Sequence, residues 1–247
     1  MQFSIAKSQT EMGKRAAETA ARLLREAITQ KGGARLVLST GASQFSFFEA
    51  LLSEQVDWSK VEMFHLDEYI DLPESHPASF RKYLKERFTS RVTLKAAHFV
   101  NTEGDVAGSI ASLSAELRKA AIDVAMIGIG ENAHIAFNDP PADFDSQESY
   151  MIVKLDSRCK RQQVAEGWFP SEEAVPPQAV TMTVSQIMKS KTIISVVPGR
   201  NKAEAIRSVL CAPAVTNQVP ATKLRDHGSW YLYIDEEASA LLPASMR

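Results

Sequence analysis

The sequence predicts an α/β fold: one mostly parallel sheet flanked by helices, in a single domain over residues 1–247. Three observations predict it. Short apolar runs alternate with amphipathic helical stretches, the pattern of βαβ units. Several runs end in small-residue turns that lead into a helix, where open α/β sheets place ligands. The chain is 45% apolar and 23% charged, an ordinary globular composition, and its length suits one large α/β domain with a substantial core.

The elements follow in order. Gln9 to Gln30 is an amphipathic helix: Met12, Ala16, Ala20, Leu23, Leu24, Ala27 and Ile28 recur near helical spacing, and Gly32-Gly33 can stop it. Ala34 to Leu38 is a buried strand, Gln44 to Leu52 a helix and Val61 to Leu66 a second strand. Pro77 to Phe88 suits a helix, since proline is tolerated in a first turn. Asp105 to Ala121 is amphipathic, with Val106, Ile110, Leu113 and Leu117 on one face. Ile122 to Ile127 is the strongest strand, followed by Gly128 and Gly130. Further strands are expected at Tyr150–Leu155, Val180–Val184, Thr192–Val197 and Trp230–Ile234, and helices at Lys160–Trp168, Asn201–Leu210 and Ala221–Asp226. Phe169 to Pro177 is a Pro-rich loop, and the wider segment 156–178 is a candidate lid.

Composition excludes several classes. Net charge is −2 and no basic block stands out, so nucleic acid is not an expected partner. The two cysteines, Cys159 and Cys211, form no CxxC pair, so neither a metal site nor a disulfide framework is expected. The N-terminus lacks a signal-peptide apolar region. No apolar run reaches the roughly 20 residues of a membrane span. The expectation is a cytoplasmic protein without membrane attachment; a homo-oligomer stays open.

Four segments can carry chemistry. In Leu38-Ser-Thr-Gly-Ala-Ser-Gln44, small residues let backbone approach an anion at a helix N-terminus, and the Thr40 and Ser43 hydroxyls add donors. The plainer reading is a turn capped by Ser43. In Phe64-His-Leu-Asp-Glu-Tyr69, the adjacent carboxylates Asp67 and Glu68 diverge if extended, so one can face a ligand while the other makes a structural contact. In Ile127 to Pro141, His134 sits among Glu131, Asn132, Asn138 and Asp139, where an oriented imidazole can move protons. Ala133 occupies the third glycine position of a GxGxxG pattern, which rules out a dinucleotide fingerprint. In Val197-Pro-Gly-Arg-Asn-Lys202, Arg200 and Lys202 can meet a phosphate or simply be solvated.

Together these segments resemble the glucosamine-6-phosphate deaminase family, within the group that also holds 6-phosphogluconolactonases. The resemblance is sharpest at FHLDEYIDLPESHPASF and GIGENAHIAFNDP and runs from about residue 9 to 235. It implies a Rossmann-like fold and a reaction without metal or redox cofactor: glucosamine 6-phosphate and water give fructose 6-phosphate and ammonia. It implies a phosphate site at Thr40, Gly41, Ala42 and Ser43, completed by Lys202. Asp67 matches the carboxylate that moves a proton between C2 and C1, and His134 the histidine that assists ring opening. Asn132 and Asp139, which would hold His134, stand where the family usually has Asp and Glu. Ala133 and Ala42 replace family glycines, and Gln44 a common proline. Arg158 and Arg161 are both candidates for a second phosphate-binding arginine. The implied partner is a small-molecule sugar phosphate. Two alternatives stay open: a 6-phosphogluconolactonase, although HIAFNDP differs from the HTAS pattern usual there, and a non-catalytic sugar-phosphate sensor.

Overall fold

The computed structural model describes all 247 residues. Strands β1 (Gln2–Ala6) and β2 (Ala34–Leu38) flank α1 (Gln9–Lys31). After α2 (Phe45–Leu52) come β3 (Val61–His65), β4 (Asp67–Tyr69), α3 (Phe80–Leu84), β5 (Ala96–His98), α4 (Val106–Arg118) and β6 (Val124–Met126). The remainder comprises β7 (Tyr150–Lys154), α5 (Ser157–Ala165), β8 (Gln178–Met182), α6 (Val184–Met188), β9 (Thr192–Val197), α7 (Ala203–Leu210) and β10 (Trp230–Asp235). No helix is long and apolar enough to cross a membrane.

Seven strands form one sheet in the order β1-β10-β9-β6-β2-β3-β5. Every pairing in it is parallel, from Phe3 opposite Leu232 at one edge to Met63 opposite Ala97 at the other. Both faces are covered, as parallel sheets require. Leu36, Leu38 and Met63 point into a core shared with α1 and α2, whereas Val37 and Phe64 point into the opposite core with α4 and α7. Period-2 alternation thus serves two apolar layers, which explains why β2 reads as an unbroken apolar run.

Two strands expected from the sequence do not join this sheet. The Tyr150–Leu155 and Val180–Val184 runs become β7 and β8, which pair antiparallel with each other and with β4 in a second, three-stranded sheet. Val184 itself begins α6. Leu66 joins the two sheets: its carbonyl accepts from the Met182 amide at 3.0 Å. The chain therefore leaves the parallel sheet and enters the small one just before Asp67. The expected Pro77–Phe88 helix begins at Phe80, capped by the Ser79 hydroxyl, and widens into a π-helical turn over Lys85–Thr89. The expected Ala221–Asp226 helix is a 3-10 segment, Pro220–Asp226.

Helix α1 shows how sequence sets packing. The Ser8 side chain caps its first turn, and Gly32 ends it with φ 79°, donating to the Ile28 carbonyl. Its buried face is mainly alanine and glycine, so α2 approaches closely. A Cβ on Gly13 would stand 2.6 Å from the Ser46 carbonyl carbon. Gly13→Ala should force α1 and α2 apart and cost about 1–3 kcal/mol, read as a lower denaturation midpoint with unchanged secondary structure.

Candidate active site

Strand order reverses between β2 and β6: β3 and β5 lie on one side, β9 and β10 on the other. At the carboxyl ends of β2 and β6 a cleft opens. Such a switch point leaves a crevice because the connections after the two strands diverge.

The turn after β2 forms one wall. Gly41 has φ 104°, a value other residues adopt only with strain. It leads into a 3-10 turn, Ala42–Gln44, and then α2. The first amides of that turn have no intrahelical acceptor. The loop is fixed from both sides: the Tyr83 hydroxyl donates to the Gly41 carbonyl at 2.8 Å, and Gln44 Nε2 donates to the Val196 carbonyl at 3.1 Å. Thr40, Gly41, Ala42 and Ser43 all line the cleft.

The turn after β9 repeats this geometry. Gly199 has φ 92°, a 3-10 turn covers Arg200–Lys202, and α7 follows. Gly199 N donates to both Asp235 oxygens at 3.0 Å. Lys202 reaches the cleft, is 3% exposed and has no ion-pair partner within reach. Burial lowers its pKa, while Glu166 and Glu131 oppose that pull. Arg200 is exposed and does not line the cleft.

Asp67 and Glu68 divide as adjacent strand residues do. Glu68 faces inward and accepts from the amides of Tyr69, Phe80 and Arg81, the Ser79 hydroxyl and Arg81 Nε. It ties the segment before α3 to the sheet. Asp67 faces the cleft, and its carboxyl receives no hydrogen bond. Burial pushes its pKa well above the ordinary carboxylate range, and the Glu68 charge adds to this.

His134 projects into the cleft from the turn after β6. Gly130 makes room for it, since a Cβ there would stand 2.2 Å from His134 Nε2. His134 Nδ1 is 3.0 Å from Asp139 Oδ1. Asn132 braces the pair: its Nδ2 donates to Asp139 Oδ1 at 3.0 Å, and its Oδ1 accepts from the His134 amide at 3.1 Å. For Asp139, burial raises the pKa, but His134 and Asn132 outweigh it and the net shift is downward. The Asp139 charge beside Nδ1, although off the line of a hydrogen bond, favours the proton there electrostatically and leaves Nε2 as the free nitrogen. Asn132 and Asp139 do not line the cleft; they support His134 from behind. Ala133, in a family glycine position, adopts φ 63°.

The segment 156–178, expected as a lid, contributes cleft residues that its sequence did not single out. Gln162 and Gln163 of α5, with Glu166 and Trp168 just after it, line the cleft opposite the turns. Arg158 and Arg161 do not reach it; they border a separate depression with Glu131 and Asn132. A polar chain links the α5 wall to the turns after β6 and β9. Asn201 Nδ2 donates to Glu131 Oε1 (2.7 Å), Glu131 N to Gln162 Oε1 (3.2 Å), Gln162 Nε2 to Glu166 Oε1 (2.7 Å) and Trp168 Nε1 to Glu166 Oε2 (3.1 Å). The available signal was the Gln162-Gln163 pair in a helix with little apolar character.

Residues 7–232 match the family described as Glucosamine-6-phosphate isomerases/6-phosphogluconolactonase. The chain belongs to this family. Within it, the chain is 34% identical over 221 residues to a glucosamine-6-phosphate deaminase of Exiguobacterium sibiricum, covering 89% of this chain and 86% of that one. It is 33% identical over 253 residues to a glucosamine-6-phosphate deaminase of Thermoanaerobacter pseudethanolicus, covering 98% and 96%. The solved structure of a monomeric glucosamine-6-phosphate deaminase superposes with TM-score 0.88 at 27% identity, covering 98% of this chain and 100% of that one. A 6-phosphogluconolactonase from Thermotoga maritima shares the fold, with TM-score 0.78 at 16% identity, over 95% of this chain and 99% of that one. The chain is thus an enzyme of the isomerase/deaminase family, built on the Rossmann-like sheet described above.

Because only hydrogen fits beside the imidazole, Gly130→Ala should displace His134 while leaving the sheet intact. Turnover should fall about 100-fold or more, the scale of a lost general acid–base group, with little change in melting temperature.

Proposed function

We propose that this protein deaminates an amino sugar 6-phosphate, glucosamine 6-phosphate, to fructose 6-phosphate and ammonia. One observation carries the reading: Asp67, His134, the Gly41 turn and Lys202, remote in sequence, line a single cleft at the strand-order reversal. The deaminase relatives, 30–36% identical, support the same substrate class.

The phosphate binds the amides of the Gly41–Ser43 turn and the Lys202 ammonium. Anchoring the far end of the sugar holds its reacting carbons against the catalytic groups. His134 exchanges a proton with the ring oxygen through Nε2 and opens the pyranose. Asp67 then takes the C2 proton from the open-chain aldehyde and returns it to C1. The resulting enolamine becomes an imine, which water hydrolyses with loss of ammonia. Asp139 and Asn132 keep His134 oriented throughout. A carboxyl that receives no hydrogen bond and is largely withdrawn from water is a stronger base once ionised than a solvated one. The segment 156–178 covers the sugar, with Gln162, Gln163 and Trp168 facing it.

Asp67→Asn should reduce kcat about 10²–10⁴-fold with little change in phosphate affinity; parental turnover would overturn the assignment. In the parent enzyme, kcat/KM should rise with pH as Asp67 ionises, on a limb displaced above the ordinary carboxylate range. Stability has the opposite sign. The folded chain holds this proton to higher pH than the unfolded chain, so Asp67 costs stability as pH rises through that interval. Asp67→Asn should therefore melt higher than the parent at neutral pH, and the difference should vanish in acid.

Lys202→Ala should raise KM for glucosamine 6-phosphate about 10–100-fold, the worth of a hydrogen bond to a charged group. Its effect on unphosphorylated glucosamine should be small. Steady-state ammonia release with the two sugars measures both. If 6-phosphogluconolactone is hydrolysed and no ammonia appears, the lactonase reading replaces this one.

A further inference from the structure

Behind His134, away from the sugar, a third side chain completes a donor set. Cys159 lies in the first turn of α5, fixed by its amide on Asp156 Oδ1 at 2.7 Å, and is 1% exposed. Its Sγ, a ring nitrogen of His134 and a carboxylate oxygen of Asp139 all lie within 4.8 Å of one another. Two of these groups have unused capacity. Asp139, whose side chain is 8% exposed, leaves Oδ2 without a hydrogen-bond partner. His134 Nδ1 is near Asp139 but off the line a hydrogen bond needs. Buried polar atoms are rarely left in this state.

Thiolate, imidazole and carboxylate together form a donor set for zinc or a similar borderline-soft divalent cation, whose ligands stand about 2.0–2.3 Å from the ion. Tetrahedral geometry at those lengths puts ligand atoms about 3.3–3.7 Å apart. His134 and Asp139 already stand 3.0 Å apart, so Cys159 Sγ closes the set by moving no more than about 1.5 Å, and it rides on α5, a cleft wall that belongs to no sheet.

We propose that His134, Asp139 and Cys159 form a binding site for a zinc-like divalent cation, and that filling it switches the enzyme off. Binding releases the Cys159 thiol proton, so the ion meets a thiolate. The ion also takes the Nδ1 lone pair, which moves the ring proton to Nε2. The nitrogen facing the sugar then becomes a donor instead of an acceptor, and the ring is fixed to the ion. The effect on turnover rests on the role given to His134 above; the binding itself does not.

Cobalt(II) tests the binding directly, because a cobalt–thiolate bond has a charge-transfer absorption in the near ultraviolet. Full-length, metal-free protein is titrated with cobalt, alongside Cys159→Ser, Cys159→Ala and Cys211→Ser. The band should appear in the parent and in Cys211→Ser and be absent from both Cys159 variants. Zinc inhibition of ammonia release should weaken at least about 10-fold in whichever Cys159 variant folds, relative to that variant's own zinc-free rate. No band in the parent, a band lost only in Cys211→Ser, or undiminished zinc inhibition in the Cys159 variants would overturn the proposal. A Cys159-dependent band in a protein that releases no ammonia would keep the metal site and remove the deaminase reading.

Discussion

Between β2 and β6 the chain changes the side on which it adds strands, and the chemistry depends on that reversal. Elsewhere in a parallel sheet, each connection runs over its neighbour and fills the space above the strand ends. Here the two connections part, and the gap receives the Gly41 turn from one side and the His134 turn from the other. The second sheet adds a third direction. By leaving β3 at Leu66 and pairing with β8, the chain carries Asp67 over the cleft instead of away from it. Glu68, one residue later, fixes that departure with its ring of amide, hydroxyl and guanidinium donors.

The turns after β2 and β9 solve one backbone problem with different chemistry. Each has a glycine at positive φ, a single 3-10 turn and an eight-residue helix. The first presents small side chains and backbone to the cleft, and the second presents a lysine. Lys202 gives up hydration to stand in the cleft without a carboxylate partner within ion-pair range, an arrangement that favours an incoming anion over bulk water. In the deamination proposed for this protein, two similar turns on strands either side of β6 form complementary halves of one phosphate site.

Much of this was legible from residues alone. Ala34–Leu38 and Thr192–Val197 are so uniformly apolar that only a strand covered on both faces accommodates them. Gly130 and His134 carried their own signal, a small residue beside an imidazole among amides and carboxylates. Strands β1 and β5 escaped notice because they are short edge strands: Gln2–Ala6 mixes polar with apolar residues, and Ala96–His98 lacks β-branched side chains. The antiparallel pairing of β7 with β8 was hidden for a different reason. Alternation shows that a segment is a strand but not which sheet receives it. The wall from α5 was least legible, since Gln162, Gln163 and Glu166 look like an exposed helix until the fold sets them over a cleft. Arg158 and Arg161 were attractive for their charge, yet the helical period turns both toward another surface.

The polar chain along the α5 wall ends on an indole. Trp230 is fully buried and Trp58 packs edge-on to Phe88, neither lining the cleft, whereas Trp168 borders it and donates to Glu166. The protein thus carries a built-in optical probe on a cleft wall supplied by neither sheet. A ligand that draws Glu166 or Gln162 away alters the polarity around that single ring, so occupancy becomes visible as a change in intrinsic fluorescence, without label or coupled enzyme.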